Sequence, residues 1–248
     1  MNIRIDLSSD KVAGICIGKP YGIWRFEDEE KEKIENFNYA ASILGIRELT
    51  EIARPIQKHT ANVGIATRES GGCGILRASD FDNTDALITN EPGLALGILH
   101  ADCGAVALYD SGKNAIAMIH SGRKGTQLNI VRSTIELMRD TYGSDPKDIS
   151  AYLSPCICGG CYEVDEKTAD EYEAAFPVGV RRSFVLRHAC YRPHIDIVKT
   201  VLWELTDTGV SQDKIKTSDI CTYEDDGFYS YRGGDNDLRN ISLLMIKK

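Results

Sequence analysis

Leu99-His-Ala-Asp-Cys-Gly-Ala-Val-Ala-Leu-Tyr-Asp-Ser-Gly-Lys-Asn-Ala-Ile-Ala-Met-Ile-His-Ser-Gly-Arg-Lys-Gly125 reads as two apolar strands joined by a turn. The β-prone runs 105–109 and 115–119 flank the turn signal Asp110-Ser-Gly-Lys113. With Ser111 and Gly112 at the turn centre, Asp110 faces Lys113. Counted back along both strands, Cys103 then faces His120. Directly opposed residues of an antiparallel pair share a face, with Cβ atoms roughly 5 Å apart. A thiolate and an imidazole so placed can grip one metal ion or work as nucleophile and base. A one-residue slip would send them to opposite faces, so the pairing stands or falls with the register.

Around this hairpin the chain reads as strands and helices without a regular alternation. Short strands are expected at residues 2–7 and at Val12–Ile17. Residues 28–46 read as a helix, with Ile34, Phe37, Ala40, Ala41 and Leu44 at helical spacing. Strand character appears at 63–66 and 85–89. Residues 129–142 form an amphipathic helix with Ile130, Ile135, Leu137 and Met138 turned inward, stopped by Gly143-Ser-Asp-Pro146. A strand at 149–153, helices at 165–176 and 196–206, and strands at 228–231 and 241–246 complete the reading. The expected fold class is α+β, with mixed and largely antiparallel sheets flanked by helices. No repeat or long linker divides the 248 residues.

Composition narrows the function. A net charge of −8, with no run rich in Lys and Arg to offset it, argues against a nucleic-acid partner. Small anionic substrates stay open through a local basic pocket. No apolar stretch approaches the ~20 residues of a membrane span, and the N-terminus has no core of signal-peptide length. A cytoplasmic location is expected, where the eight cysteines should be mostly reduced.

The five histidines are His59, His100, His120, His188 and His194. His120 stands out because it ends an apolar strand and enters Ser121-Gly-Arg-Lys-Gly125, where two glycines allow close backbone approach. Arg123 and Lys124 add positive charge to that turn, ahead of a helix N-terminus expected at Asn129. A catalytic zinc site takes three protein ligands and keeps one open position. Spacing alone does not name the third ligand, and His100 falls on the opposite side of an alternating strand from Cys103.

Taken in order, Gln57-Lys-His-Thr60, Asp85-Ala-Leu-Ile-Thr89, Ala101-Asp-Cys103 and His120-Ser-Gly-Arg-Lys-Gly125 resemble the marks of the laccase-domain family. Further matches are Ser154-Pro-Cys-Ile157 with Tyr162-Glu-Val164, Cys221-Thr222, and Phe228-Tyr-Ser-Tyr-Arg232 with Arg239. Members of that family are also called peptidoglycan editing factors or purine nucleoside phosphorylases. The resemblance implies one laccase-like domain over residues 1–248. It implies that His59, Cys103 and His120 hold a catalytic zinc ion. It also implies phosphorolysis of adenosine, inosine or methylthioadenosine and deamination of adenosine, so the implied partners are purine nucleosides and phosphate. A zinc-activated water suits deamination, and basic side chains suit phosphate. Lys124 and Arg232, then Arg239, are the candidates for that anion, and Gln57 for substrate contact. The chain is compatible with a homo-oligomer.

The departures from the family pattern are specific. Arg123 stands where the pattern has Trp, Lys124 where it has Arg, and Thr60 where it has Gly. The Asn/Gly-rich loop of the family's N-terminal region is not found in residues 1–50. Lys is not equivalent to Arg where an oxyanion is held bidentately. Copper laccase chemistry needs several coppers held largely by imidazoles, and five histidines without a His-x-His pair do not supply them. Two further readings stay open: a metal-free Cys103–His120 hydrolase, and a metal-dependent protein that binds nucleosides or cell-wall precursors without consuming them. Cys156, Cys158 and Cys161 could hold a second, structural ion with Cys190 or Cys221 as fourth ligand. Reduced, buried thiols are the favoured expectation for them.

Overall fold

A computed structural model describes residues 1–24, 30–188 and 191–248. Its strands are β1 (Asn2–Arg4), β2 (Val12–Ile17), β3 (Ile23–Trp24), β4 (Ile52–Ala53), β5 (Val63–Ile65), β6 (Ala86–Thr89) and β7 (Ala95–His100), followed by β8 (Gly104–Asp110), β9 (Ala115–Ser121), β10 (Ile149–Leu153), β11 (Val185–His188), β12 (Tyr191–Ile195), β13 (Ile215–Thr217) and β14 (Leu238–Ile246). The helices are α1 (Glu30–Ile43), α2 (Arg123–Gln127), α3 (Ile130–Tyr142), α4 (Glu166–Ala174) and α5 (Ile197–Asp207).

Two six-stranded sheets dominate. The first runs β1-β2-β14-β7-β4, with β3 also on β14, and the second runs β13-β10-β8-β9-β6-β5. Pairings are antiparallel except β4 with β7, β5 with β6 and β10 with β13. The fold is therefore α+β with mixed, largely antiparallel sheets, as the sequence reading expects.

Alternate residues of the strands sort into separate cores. Ala105, Ala107, Tyr109, Ile116 and Met118 of the second sheet pack against Leu96, Ile98, Leu244 and Ile246 of the first. The opposite face of the second sheet, with Val106, Leu108, Ala117 and Ile119, is covered by α3, α4 and α5. The outer face of the first sheet, with Ile17, Ala95 and Leu243, is covered by Phe37, Ala40 and Ala41 of α1. The order of layers is helix, sheet, sheet, helix. Both faces of β8 and β9 are covered, and all seven residues of each are buried. This explains why these strands read as continuous apolar runs, as in any sheet covered on both sides.

Several boundaries move. α1 starts at Glu30, and the first two residues of the helix expected at 28–46 lie outside the described residues. The turn after His120 is not a free loop: α2 begins at Arg123, capped by Gly122, and Asn129 with φ +57° separates it from α3. Gly143, at φ +72°, ends α3 as expected. The strand expected at 228–231 is not formed. There the Asn240 side chain stands in for a neighbouring strand: its Oδ1 accepts from the Tyr229 amide, and its Nδ2 donates to the Tyr229 carbonyl (2.8 and 2.9 Å).

The hairpin register also differs from the reading. Asp110 pairs with Ala115 and Ala105 with His120, so the loop is four residues long. The buried Asp110 carboxylate accepts from the amides of Gly112 and Lys113, and Asn114 takes φ +51°. An Asx-type loop of this kind replaces the two-residue turn. The slip is two residues, so the faces of the paired strands are kept, but Cys103 falls one residue before β8 and no longer lies opposite His120.

Candidate metal centre

His59 and Cys103 lie on the two connections, β4 to β5 and β7 to β8, that cross from the first sheet to the second. His120 lies near the end of β9 beside them. The ligand-capable atoms of the three residues all fall within 4.8 Å of one another. Cys103 Sγ is 4.0 Å from His59 Nε2, and the two imidazoles meet edge to face with centroids 4.9 Å apart. The cluster runs from exposed His59 through half-buried Cys103 to buried His120, so its accessible side is at His59. One thiolate and two imidazoles, brought close with one side reachable from solvent, form a donor set that fits a zinc-like divalent ion with a vacant position.

A carboxylate organises the cluster. Asp85, fully buried at the start of β6, accepts from the amides of Lys58 (3.1 Å), His59 (2.9 Å) and Thr60 (2.7 Å) and from the Thr60 hydroxyl (2.8 Å). Successive amides converge on one anion only when the backbone curls into a nest, and His59 accordingly takes φ +61°. Asp85 Oδ1 also lies 2.8 Å from His120 Nδ1. An ionised carboxylate only accepts, so Nδ1 carries the hydrogen and Nε2 is left as the ligand atom. Burial works to raise the Asp85 pKa, but the bonds from His120 and Thr60 outweigh it and hold the carboxyl far below its ordinary value.

Cys103 is presented by a second left-handed residue, Asp102 at φ +77°. Asp102 Oδ1 accepts from the Thr222 hydroxyl (2.7 Å), and Oδ2 accepts from the Arg232 amide (2.6 Å). Its carbonyl accepts from the Ile157 amide (3.0 Å). Burial would raise the Cys103 thiol pKa, but attraction to His120 and hydrogen bonds from His120 and His59 reverse this and lower it. Burial likewise opposes charge on His120, and the Cys103 thiolate and Asp85 raise its pKa nonetheless. Gly122 makes room for the sulfur: a Cβ there would lie 2.6 Å from Cys103 Sγ.

The other expected residues are placed as follows. Gln57 closes both ends of its amide on the β7 backbone, donating to the Leu99 carbonyl (2.6 Å) and accepting from the Leu99 amide (2.9 Å). Its visible work is to anchor the segment that carries His59. Lys124 is exposed on α2. Arg232 donates to the Glu163 carbonyl (2.8 Å) and lies over the Tyr162 ring at 5.3 Å. Arg239 donates to the Asp235 and Leu238 carbonyls and faces Tyr231. His100 lies in the layer between the sheets, 2.9 Å from Ser242 Oγ, with burial driving its pKa down to about 3. It is not part of the cluster.

Three residues were not singled out from the sequence as site residues. Asp85 and Asp102, both inside the family-like motifs, hold the segments that carry His59, His120 and Cys103. Tyr162 is the third: its hydroxyl pKa is raised by burial first and by Cys103 second, while Arg123 and Arg232 pull it down. Its ring lies under the Arg232 guanidinium, 5.3 Å from it. Among the cysteines, Cys158, Cys161 and Cys221 bring their sulfurs together with the Glu224 carboxylate, whereas Cys156 is buried outside that group. Cys158 and Cys161 are only half-buried, which departs from the expectation of buried thiols. Cys190 lies outside the described residues.

Residues 22–247 match the family described as multi-copper polyphenol oxidoreductase laccase, and the chain belongs to that family. A purine nucleoside phosphorylase of Bacteroides thetaiotaomicron is 31% identical over 229 residues, spanning 90% of this chain and 83% of its own. Purine nucleoside phosphorylase YlmD of Bacillus subtilis is 29% identical over 224 residues, spanning 89% of this chain and 80% of its own. The fold matches the crystal structure of the hypothetical protein YfiH of Bacillus licheniformis with a TM-score of 0.89, at 24% identity over 98% of this chain and 99% of the other. Among the described residues, no helix is long and apolar enough to cross a membrane.

Proposed function

We propose that this chain is a zinc-dependent purine nucleoside phosphorylase, acting on adenosine, inosine or methylthioadenosine, that also deaminates adenosine. The convergence of His59, Cys103 and His120 within 4.8 Å of one another carries the reading. Relatives named purine nucleoside phosphorylase support an enzyme of that general kind. The donor set of one sulfur and two imidazole nitrogens argues for zinc over the imidazole-rich cluster that multicopper chemistry needs.

A zinc ion held by His59, Cys103 and His120 would supply Lewis-acid polarisation at its open position. In phosphorolysis a phosphate oxygen bonds to ribose C1′, the bond from C1′ to the purine nitrogen breaks, and the purine leaves with a proton. The chain's contribution to that step is positional and electrostatic. Asp85 fixes the tautomer and angle of His120. Asp102 fixes the turn that offers Cys103. Arg232, braced on Tyr162 and the Glu163 carbonyl, keeps further guanidinium donors for an anion, with Lys124 as a second cation. In deamination water replaces the amino group of adenosine, giving inosine and ammonia.

A second reading rests on one observation. His120 is oriented by Asp85 and electrostatically paired with Cys103, the arrangement of a thiol nucleophile with its base. Metal dependence separates the two. Zinc-loaded protein incubated with adenosine and phosphate should give adenine and ribose 1-phosphate, and His59→Ala should abolish this. Turnover that survives complete chelation would favour the metal-free hydrolase, and no turnover on any nucleoside with zinc bound would end the purine assignment.

A further inference from the structure

We propose that Cys158, Cys161, Cys221 and Glu224 form a second metal site, a closed structural centre of three thiolates and one carboxylate suited to zinc. Their four ligand-capable atoms lie within 4.8 Å of one another. A tetrahedral zinc ion with Zn–S bonds of about 2.3 Å sets its sulfurs about 3.8 Å apart, which fits within that spread. Thiolate-rich donor sets select zinc over hard cations.

The ligands arrive as two matching hooks. Cys158-x-x-Cys161 comes from the loop after β10, and Cys221-x-x-Glu224 from the turn after β13. Each hook is a tight turn: the Cys161 and Tyr162 amides donate to the Cys158 carbonyl, and the Glu224 and Asp225 amides donate to the Cys221 carbonyl. The Cys158 amide also donates to Cys221 Sγ at 3.3 Å, placing a backbone dipole where it favours a thiolate. The two hooks are joined by parallel backbone pairing of Cys156 with Cys221, both free thiols, and by the Thr222 amide donating to the Cys156 carbonyl.

Burial does not account for this gathering. Cys158 and Cys161 are half-buried and Glu224 is exposed. Only Cys221 is buried; three thiols and a carboxylate this close repel one another once ionised, and a cation removes that repulsion. The site also has a structural task within reach. The Cys158–Cys161 hook directly follows Ile157, and the Cys221 hook contains Thr222; both of these residues hold Asp102, which presents Cys103. An ion here would staple together the two loops that position the first centre. This inference does not depend on the nucleoside reading.

Zinc counted by elemental mass spectrometry tests it. The wild-type chain is expected to hold two ions, the His59→Ala variant one, and the Cys161→Ser variant one. Cobalt loaded into the His59→Ala protein should give the intense charge-transfer absorption of several thiolates on one tetrahedral ion. Cys161→Ser should remove that band. Glu224→Gln changes an exposed residue and should keep the fold while weakening cobalt binding at least tenfold. A wild-type chain holding one ion, with that count unaltered by Cys161→Ser, would overturn the proposal. So would a disulfide between Cys158 and Cys161 in the purified protein.

Discussion

His120 Nδ1 and Asp85 Oδ1 lie 2.8 Å apart, and both side chains are buried. The same carboxylate gathers three successive amides of the segment carrying His59. Asp85 therefore sets the orientation of two members of the cluster at once, one through its ring and one through its backbone.

Asp85→Asn keeps the size of this hub but puts amide hydrogens where an acceptor is needed. Partners of metal-bound histidines typically contribute about 10- to 100-fold in metal affinity. We expect a loss at least in that range, read by competition with a chromophoric chelator. Unchanged affinity would show that the His120 tautomer is set by something else.

Gly122→Ala should reach the sulfur directly. Its Cβ would fall 2.6 Å from Cys103 Sγ and 3.4 Å from His59 Cδ2, so the ligand loop must move. Overpacking of this kind costs about 1–3 kcal/mol; borne by the metal-bound arrangement, that corresponds to zinc binding weakened about 5- to 150-fold. The far-ultraviolet circular dichroism should be unchanged.

Cys103 should be the fastest-alkylated cysteine in metal-free protein. Attraction to His120 lowers its pKa despite burial, and alkylation proceeds through the thiolate. Its rate against pH should therefore turn over below the ordinary thiol midpoint. Added zinc should protect Cys103, as peptide mass spectrometry would show.

Glu204 gives a separate pH signature. It is fully buried on α5, and burial pushes its pKa up to about 8 against the opposing pull of the Arg132 amide and guanidinium. The folded chain thus holds this proton more tightly than the unfolded chain. The associated stability is complete below the unfolded carboxyl pKa, roughly 4.3, and is lost as pH rises through about 8. Denaturant midpoints should fall across that window. Glu204→Gln should flatten the decline and be the more stable protein at the alkaline end.

The nearness of Cys103 and His120 was legible because both sit in compact motifs at the mouth of one hairpin, and because strand parity survives a two-residue slip. A one-residue error would have reversed the faces of the strand that carries His120. His59 was reached only through a family resemblance, since no local spacing links it to the hairpin. Asp85 and Asp102 escaped notice as positioning residues. Their importance lies in whose amides they accept, and that depends on how distant loops curl. The four-residue turn was missed because Asp110 closes it with its own side chain, a choice that an Asp-Ser-Gly-Lys string leaves open. The strand expected at 228–231 failed because its hydrogen-bonding partner is the Asn240 side chain, not a neighbouring backbone.

β14 lies between β2 and β7, pairing with both along most of its length. Residues 12–17 and 241–246 are therefore neighbours at the centre of the first sheet. During synthesis, β2 and β7 are made long before the strand that joins them, and each waits with an unsatisfied edge. That sheet closes only after β14 follows both, and a chain lacking residues 238–246 would carry both edges uncovered and be prone to aggregate.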